Sequence, residues 1–157
     1  MGGWPGFYGL MGVDEKATQF HQHFRSCYNS TVAAKRILVV DDDPKILGIV
    51  AHFLKEAGYE VHPTNDSTDA VRLAAEVRPD LAILDITMPV LDGYGLAVQI
   101  GAHPQLSKIP YMFLTARKEA VDVEQAKDLG AVAYLEKPFK RETLLNVVSE
   151  LLKQKEN

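Results

Sequence analysis

Asp41, Asp42 and Asp43 stand directly after the apolar, β-branched run Ile37–Val40. A second apolar run, Leu81–Leu84, ends on Asp85, and a third, Tyr111–Leu114, ends on Thr115. A fourth, Val132–Leu135, is followed by Glu136, Lys137 and Pro138. Taken singly, each is ordinary. An Asp after a strand is often the N-cap of the next helix, the role expected of Asp43 before Pro44. Taken together, they offer carboxylates, a hydroxyl and an amine at successive strand ends. Clustered carboxylates repel and need a counter-charge. An all-oxygen site of two or three carboxylates with open water positions suits Mg2+. A carboxylate can also attack phosphorus and form an aspartyl phosphate. Phosphoryl transfer then asks mainly for positioning and for neutralisation of oxygen charge. Lys137 would supply a cation and Thr115 a hydroxyl donor.

The elements that carry these residues alternate from Lys35 onward. Between the first strand and the short strand Glu60–Pro63, residues 44–57 repeat apolar positions at helical spacing through Ile46, Ile49, Val50, Phe53 and Leu54. Pro44 suits the first turn of that helix and Gly58 its left-handed end. Further helices are expected over 68–77, 94–102, 118–129 and 141–153. Strands that read as continuous apolar runs belong to a parallel sheet covered on both faces. The helices supply the crossovers that parallel neighbours require. The expected fold class is therefore α/β: a doubly wound sandwich of five strand–helix units, with its site at the carboxyl ends of the strands.

Residues 1–34 differ in character from residues 35–157, and the boundary is placed there. Met1–Gly12 is glycine-rich, which disfavours both helix and strand. Val13, Ala17, Phe20, Phe24 and Tyr28 then recur at three- and four-residue spacing, so a short amphipathic helix over about 14–28 is expected. A largely disordered extension is weighed slightly above that helix. His21 and His23 form an H-x-H pair, too few ligands for a structural metal site. His52, His62 and His103 are expected at the surface or in packing roles.

Composition narrows the class further. The chain has 157 residues, 46% apolar and 24% charged, enough to bury one core without staples. A net charge of -4 argues against wholesale nucleic-acid binding. Cys27 is the only cysteine, so no intrachain disulfide forms and a cytoplasmic location is expected. No apolar run approaches the length of a membrane span.

The chain resembles the receiver domain of the response regulators of bacterial two-component signalling. The matching stretches are Ile37–Pro44, Pro79–Pro89 with Asp92 and Gly93, Phe113–Ala116, Gly130–Ala131 and Tyr134–Phe139, in order and at family spacing over about 35–153. The resemblance implies a stand-alone, chemotaxis-regulator-like receiver with a (βα)5 flavodoxin-like fold and parallel strands in the order 2-1-3-4-5. It implies that Asp85 is the phosphoacceptor and that Asp41, Asp42, Asp85 and the Thr87 carbonyl hold Mg2+. Thr115 would hydrogen-bond the phosphoryl oxygens, Lys137 would pair with them, and the Lys137–Pro138 bond would be cis. Tyr134 matches the switch aromatic that swings inward with Thr115; the lesser reading is a strand tyrosine that is plain core. Thr87 and Arg117 occupy the positions that tune phosphate hydrolysis.

The implied function is a phosphorylation-dependent switch rather than an enzyme, one that assists its own phosphorylation and dephosphorylation. Its partners would be a histidine kinase or phosphotransfer protein and a downstream protein. No DNA-binding domain and no membrane are involved, and the expected state is a monomer or weak dimer. Ala131, Val132 and Ala133 replace the acidic residues common in DNA-binding relatives, which weakens any charged dimer interface there. The chain could also be cut from a larger protein. Two alternatives remain: an unphosphorylated scaffold, and an aspartate-based phosphohydrolase. The second lacks a general acid, because Thr87 stands where that chemistry wants another Asp.

Overall fold

The structure is a computed structural model that describes residues 33–116, 128 and 130–156. Its elements run β1 (Arg36–Val40), α1 (Pro44–Glu56), β2 (Glu60–Thr64), α2 (Ala70–Val77), β3 (Leu81–Asp85), α3 (Gly93–Ala102), β4 (Tyr111–Ala116), β5 (Ala133–Lys137) and α4 (Arg141–Glu156). The five strands form one parallel sheet in the order β2-β1-β3-β4-β5, as expected. The expected helix over 14–28 and, apart from residue 128, the one over 118–129 lie outside the described residues, as does Arg117.

The continuous apolar strands are explained by a core on each face of the sheet. Side chains alternate across a strand. Ile37 and Val39 therefore enter one core with Val50 and Leu54 of α1 and Leu144, Val148 and Leu151 of α4. Leu38 and Val40 enter the other, with Ala70 and Ala74 of α2 and Leu96 and Ile100 of α3. Every residue of β3 is buried. That central strand carries Asp85 at its end, so the carboxylate stands on the most constrained part of the sheet.

Boundaries follow local hydrogen bonding. The Asp43 side chain accepts from the Lys45 amide at 2.9 Å and caps α1, the expected role. The helix expected from Thr68 starts two residues later, at Ala70. The reason is Asp66, whose carboxylate takes the Thr68 amide at 2.9 Å and the Thr68 hydroxyl at 2.6 Å, so Thr68 sits in a turn. Asp92 caps α3 through the Gly95 amide at 2.8 Å.

Gly93 lets α3 start directly against β3. A Cβ there would lie 2.4 Å from the Asp85 carbonyl oxygen and 2.8 Å from the Ile86 Cα, both backbone atoms. The Gly93 amide donates to the Ile86 carbonyl at 2.8 Å across the same approach. Gly93→Ala should therefore destabilise the fold by about 3 kcal/mol, the upper range for overpacking. A urea unfolding midpoint within error of wild type would show that this contact is not tight.

Candidate functional site

The carboxyl ends of the parallel strands lie together at one end of the sheet. Asp85 pairs with Leu114 in the β3–β4 register and Ala116 pairs with Lys137 in the β4–β5 register, so Thr115 falls between the two. Asp41, just past β1, is fully buried, Asp85 is 4% exposed and Thr115 is 1% exposed. Asp42 is exposed. One carboxylate oxygen from each of Asp41, Asp42 and Asp85 lies within 4.8 Å of the others.

Lys137 reaches into this cluster from the far strand. Its Nζ donates to Asp41 Oδ2 at 2.8 Å and to Asp85 Oδ1 at 3.2 Å. Asp41 Oδ1 accepts the Asp43 amide at 2.9 Å, which fixes the carboxylate against the start of α1. Burial and the negative charge of Asp41 push the Asp85 carboxyl up to about 7, with Lys137 opposing them. Burial alone would lower the Lys137 ammonium. The hydrogen bonds and charges of Asp41 and Asp85 outweigh it, so Lys137 stays above the usual lysine range.

Among the described residues, three carboxylates and one ammonium leave excess negative charge in a largely buried space. That donor set fits a hard divalent cation: all oxygen, open on the Asp42 side, and too few ligands for Ca2+ without added groups. Asp85 is bonded by Lys137, and burial first and the charge of Asp41 second raise its carboxyl, the mark of a candidate functional group.

The remaining predicted residues lie around this centre. Thr87 is exposed, two residues past Asp85. The Thr115 hydroxyl donates to the Ala116 carbonyl at 3.3 Å. Tyr134 is half-buried and packs against the core shared by α2 and α3. The Lys137–Pro138 bond is cis, as expected. His62 pairs with Glu60 at 2.7 Å and His52 with Glu56 at 3.4 Å, both away from the carboxylate cluster's own contacts.

A family profile for the response regulator receiver domain matches residues 37–149, most of the chain. The chain belongs to the response regulator receiver family. Relatives of this receiver include the DNA-binding dual master transcriptional regulator RpaA of Synechocystis, 38% identical over 119 residues, which cover 76% of this chain and 49% of RpaA. Protein PilH of Pseudomonas aeruginosa is 34% identical over 117 residues, covering 74% of this chain and 97% of PilH. This receiver spans about half the length of several curated relatives it matches. Among solved structures, the receiver domain of a Pseudomonas aeruginosa sensor histidine kinase superposes with a TM-score of 0.70 at 34% identity, covering 77% of this chain and 99% of that one. That domain was solved with a magnesium ion coordinated in its active-site cleft. Receiver domains are phosphoacceptor modules of two-component signalling, and they bind Mg2+ at an acidic pocket.

Two features of the site had no signal in the sequence. The Asp41–Lys137 ion pair joins residues 96 positions apart, and nothing in either segment distinguishes Asp41 from Asp42 as its partner. The buried Ser67 in the β2–α2 loop reads in the sequence as a turn residue and nothing more.

Proposed function

We propose that this receiver is a phosphorylation-dependent signalling switch whose acceptor is Asp85. The observation that carries this reading is the ammonium of Lys137, bonded to both Asp85 and Asp41 across the sheet. It holds one oxygen of Asp85, in a cluster that brings the Asp85 and Asp42 carboxylates together. The ionised Asp85 attacks the phosphorus of a phosphohistidine on a kinase or phosphotransfer protein. The new O–P bond forms as the P–N bond breaks, and the imidazole leaves with the electron pair. Asp41, Asp42, Asp85 and the Thr87 carbonyl would hold Mg2+, which when bound neutralises charge on the phosphoryl oxygens. Lys137 then pairs with a phosphoryl oxygen and the Thr115 hydroxyl donates to another.

The response would pass through Thr115 to Tyr134. Both lie beside the β4–β5 register that carries Lys137, and Tyr134 borders the core shared by α2 and α3. A local charge that moves Thr115 would bias two packings of that aromatic, a population shift read by a downstream protein. Thr87 and Arg117 would set how fast water removes the phosphate. We take residues 35–157 as the working unit and 1–34 as an extension, acting as a cytoplasmic monomer or weak dimer. Among the described residues no helix is long and apolar enough to cross a membrane.

The test is NMR of the full chain before and after acetyl phosphate with Mg2+. Resonances of Thr115, Tyr134 and Lys137 should shift together, and Thr115→Ala should uncouple the Tyr134 shift from phosphoryl uptake. Uptake without any change at Tyr134 would sink the switch and leave only an acceptor.

A further inference from the structure

The loop from β3 to α3 contains a backbone outlier beside the site. Val90 has a φ of 70°, a region that β-branched residues rarely adopt. Its side chain is 93% exposed, so packing does not hold it there. Across it the Leu91 amide donates to the Pro89 carbonyl at 2.8 Å, closing a three-residue turn of the rarer, left-handed kind. Such strain persists where the surrounding structure over-determines the backbone.

Part of that surrounding comes from a different element. Ser67, in the loop between β2 and α2, is 5% exposed. Its hydroxyl donates to the same Pro89 carbonyl at 3.4 Å. The loop that carries Ser67 is itself pinned: the Asp66 amide donates to Thr64 Oγ1 at 3.1 Å, and the Asp66 carboxylate takes both the amide and the hydroxyl of Thr68. Ser67, Pro89 and Val90 share a groove of about 160 Å³ with Asp42. One wall therefore carries an acidic residue of the cluster, and the other is a strained loop tied down by a buried hydroxyl.

We propose that Ser67 is a positioning residue of the phosphoacceptor site. Its hydroxyl holds the β3–α3 loop, and with it the Thr87 backbone, at the spacing from Asp42 that a shared cation needs. This inference rests on the reading of Asp85, Asp42 and Thr87 given above. The bond is long for a hydroxyl donor, so its loss has a modest effect.

The experiment compares the full chain with Ser67→Ala and with Thr68→Ala. Thr68 lies on the same loop, but its hydroxyl goes to Asp66 instead. Without metal, the Leu91 amide should exchange with solvent faster in Ser67→Ala. In a Mg2+ titration followed by amide shifts near Asp42 and Thr87, the midpoint should rise about three- to fivefold in Ser67→Ala. Phosphorylation by acetyl phosphate at saturating Mg2+ should stay within about twofold of wild type, since a hydroxyl that only positions the loop acts through metal occupancy. Thr68→Ala should keep the wild-type midpoint. An unchanged midpoint in Ser67→Ala, or an equal rise in Thr68→Ala, overturns the proposal. Failure of the wild type to take a phosphoryl group would count against the switch, while the Mg2+ midpoints would still decide the role of Ser67.

Discussion

Asp85→Asn should melt several degrees above the wild type at pH 8 in the absence of Mg2+. The Asp85 carboxyl is pushed up to about 7 in the folded protein, first by burial and then by the charge of Asp41. Its ordinary value is 3.8. A raised acid pKa means that the folded state holds its proton more tightly than the unfolded chain. That contribution is fully present below about pH 4 and is lost as pH rises through about 7. Above that, the folded protein carries an ionised Asp85 against Asp41, which asparagine does not. The gap between variant and wild type should therefore open from about pH 4 and be complete just above pH 7. A gain of about 1–3 kcal/mol corresponds to several degrees in a domain of this size. Mg2+ should narrow it, because the metal stabilises the wild type by mass action. A variant that melts below the wild type at pH 8 without metal would contradict the account of a repelling acidic cluster.

Lys137→Ala should do the reverse, and more strongly. The ammonium is the counter-charge that Asp41 and Asp85 share, at 2.8 and 3.2 Å. Asp41 is fully buried and loses its ion-pair partner when Lys137 is cut back. Removing one side of a buried pair costs about 3–5 kcal/mol. The loss should be largest above pH 7, where Asp85 is ionised, and Mg2+ should restore part of it by neutralising the same oxygens. Denaturant unfolding with and without Mg2+ at pH 8 reads both effects. Equal stability of variant and wild type in metal-free buffer would show that the Lys137 contacts are incidental.

These two residues also show what could be read from the sequence and what could not. The sheet was legible because its central strands are buried on both faces, so Ile37–Val40 and Leu81–Leu84 are apolar without a break. The carboxyl ends of these runs, and of Tyr111–Leu114 and Val132–Leu135, pointed to Asp41, Asp42, Asp85, Thr115 and Lys137. Helix starts were less legible where side chains compete for the backbone, as Asp66 does at Thr68. The partner of Lys137 was not legible at all, because Asp41 and Asp42 are chemically identical and only folding buries the first. Nor does any residue type announce the turn at Val90, where valine occupies a conformation that ordinarily favours glycine or asparagine.

The most direct test of the central claim is the intact mass of the wild type and Asp85→Asn after incubation with acetyl phosphate, each with Mg2+ and with EDTA. The account predicts one added phosphoryl group on the wild type with Mg2+, a sharp reduction with EDTA, and none on Asp85→Asn in either buffer. An adduct of equal yield on Asp85→Asn, or no adduct on folded, Mg2+-saturated wild type even at the earliest times, would contradict it.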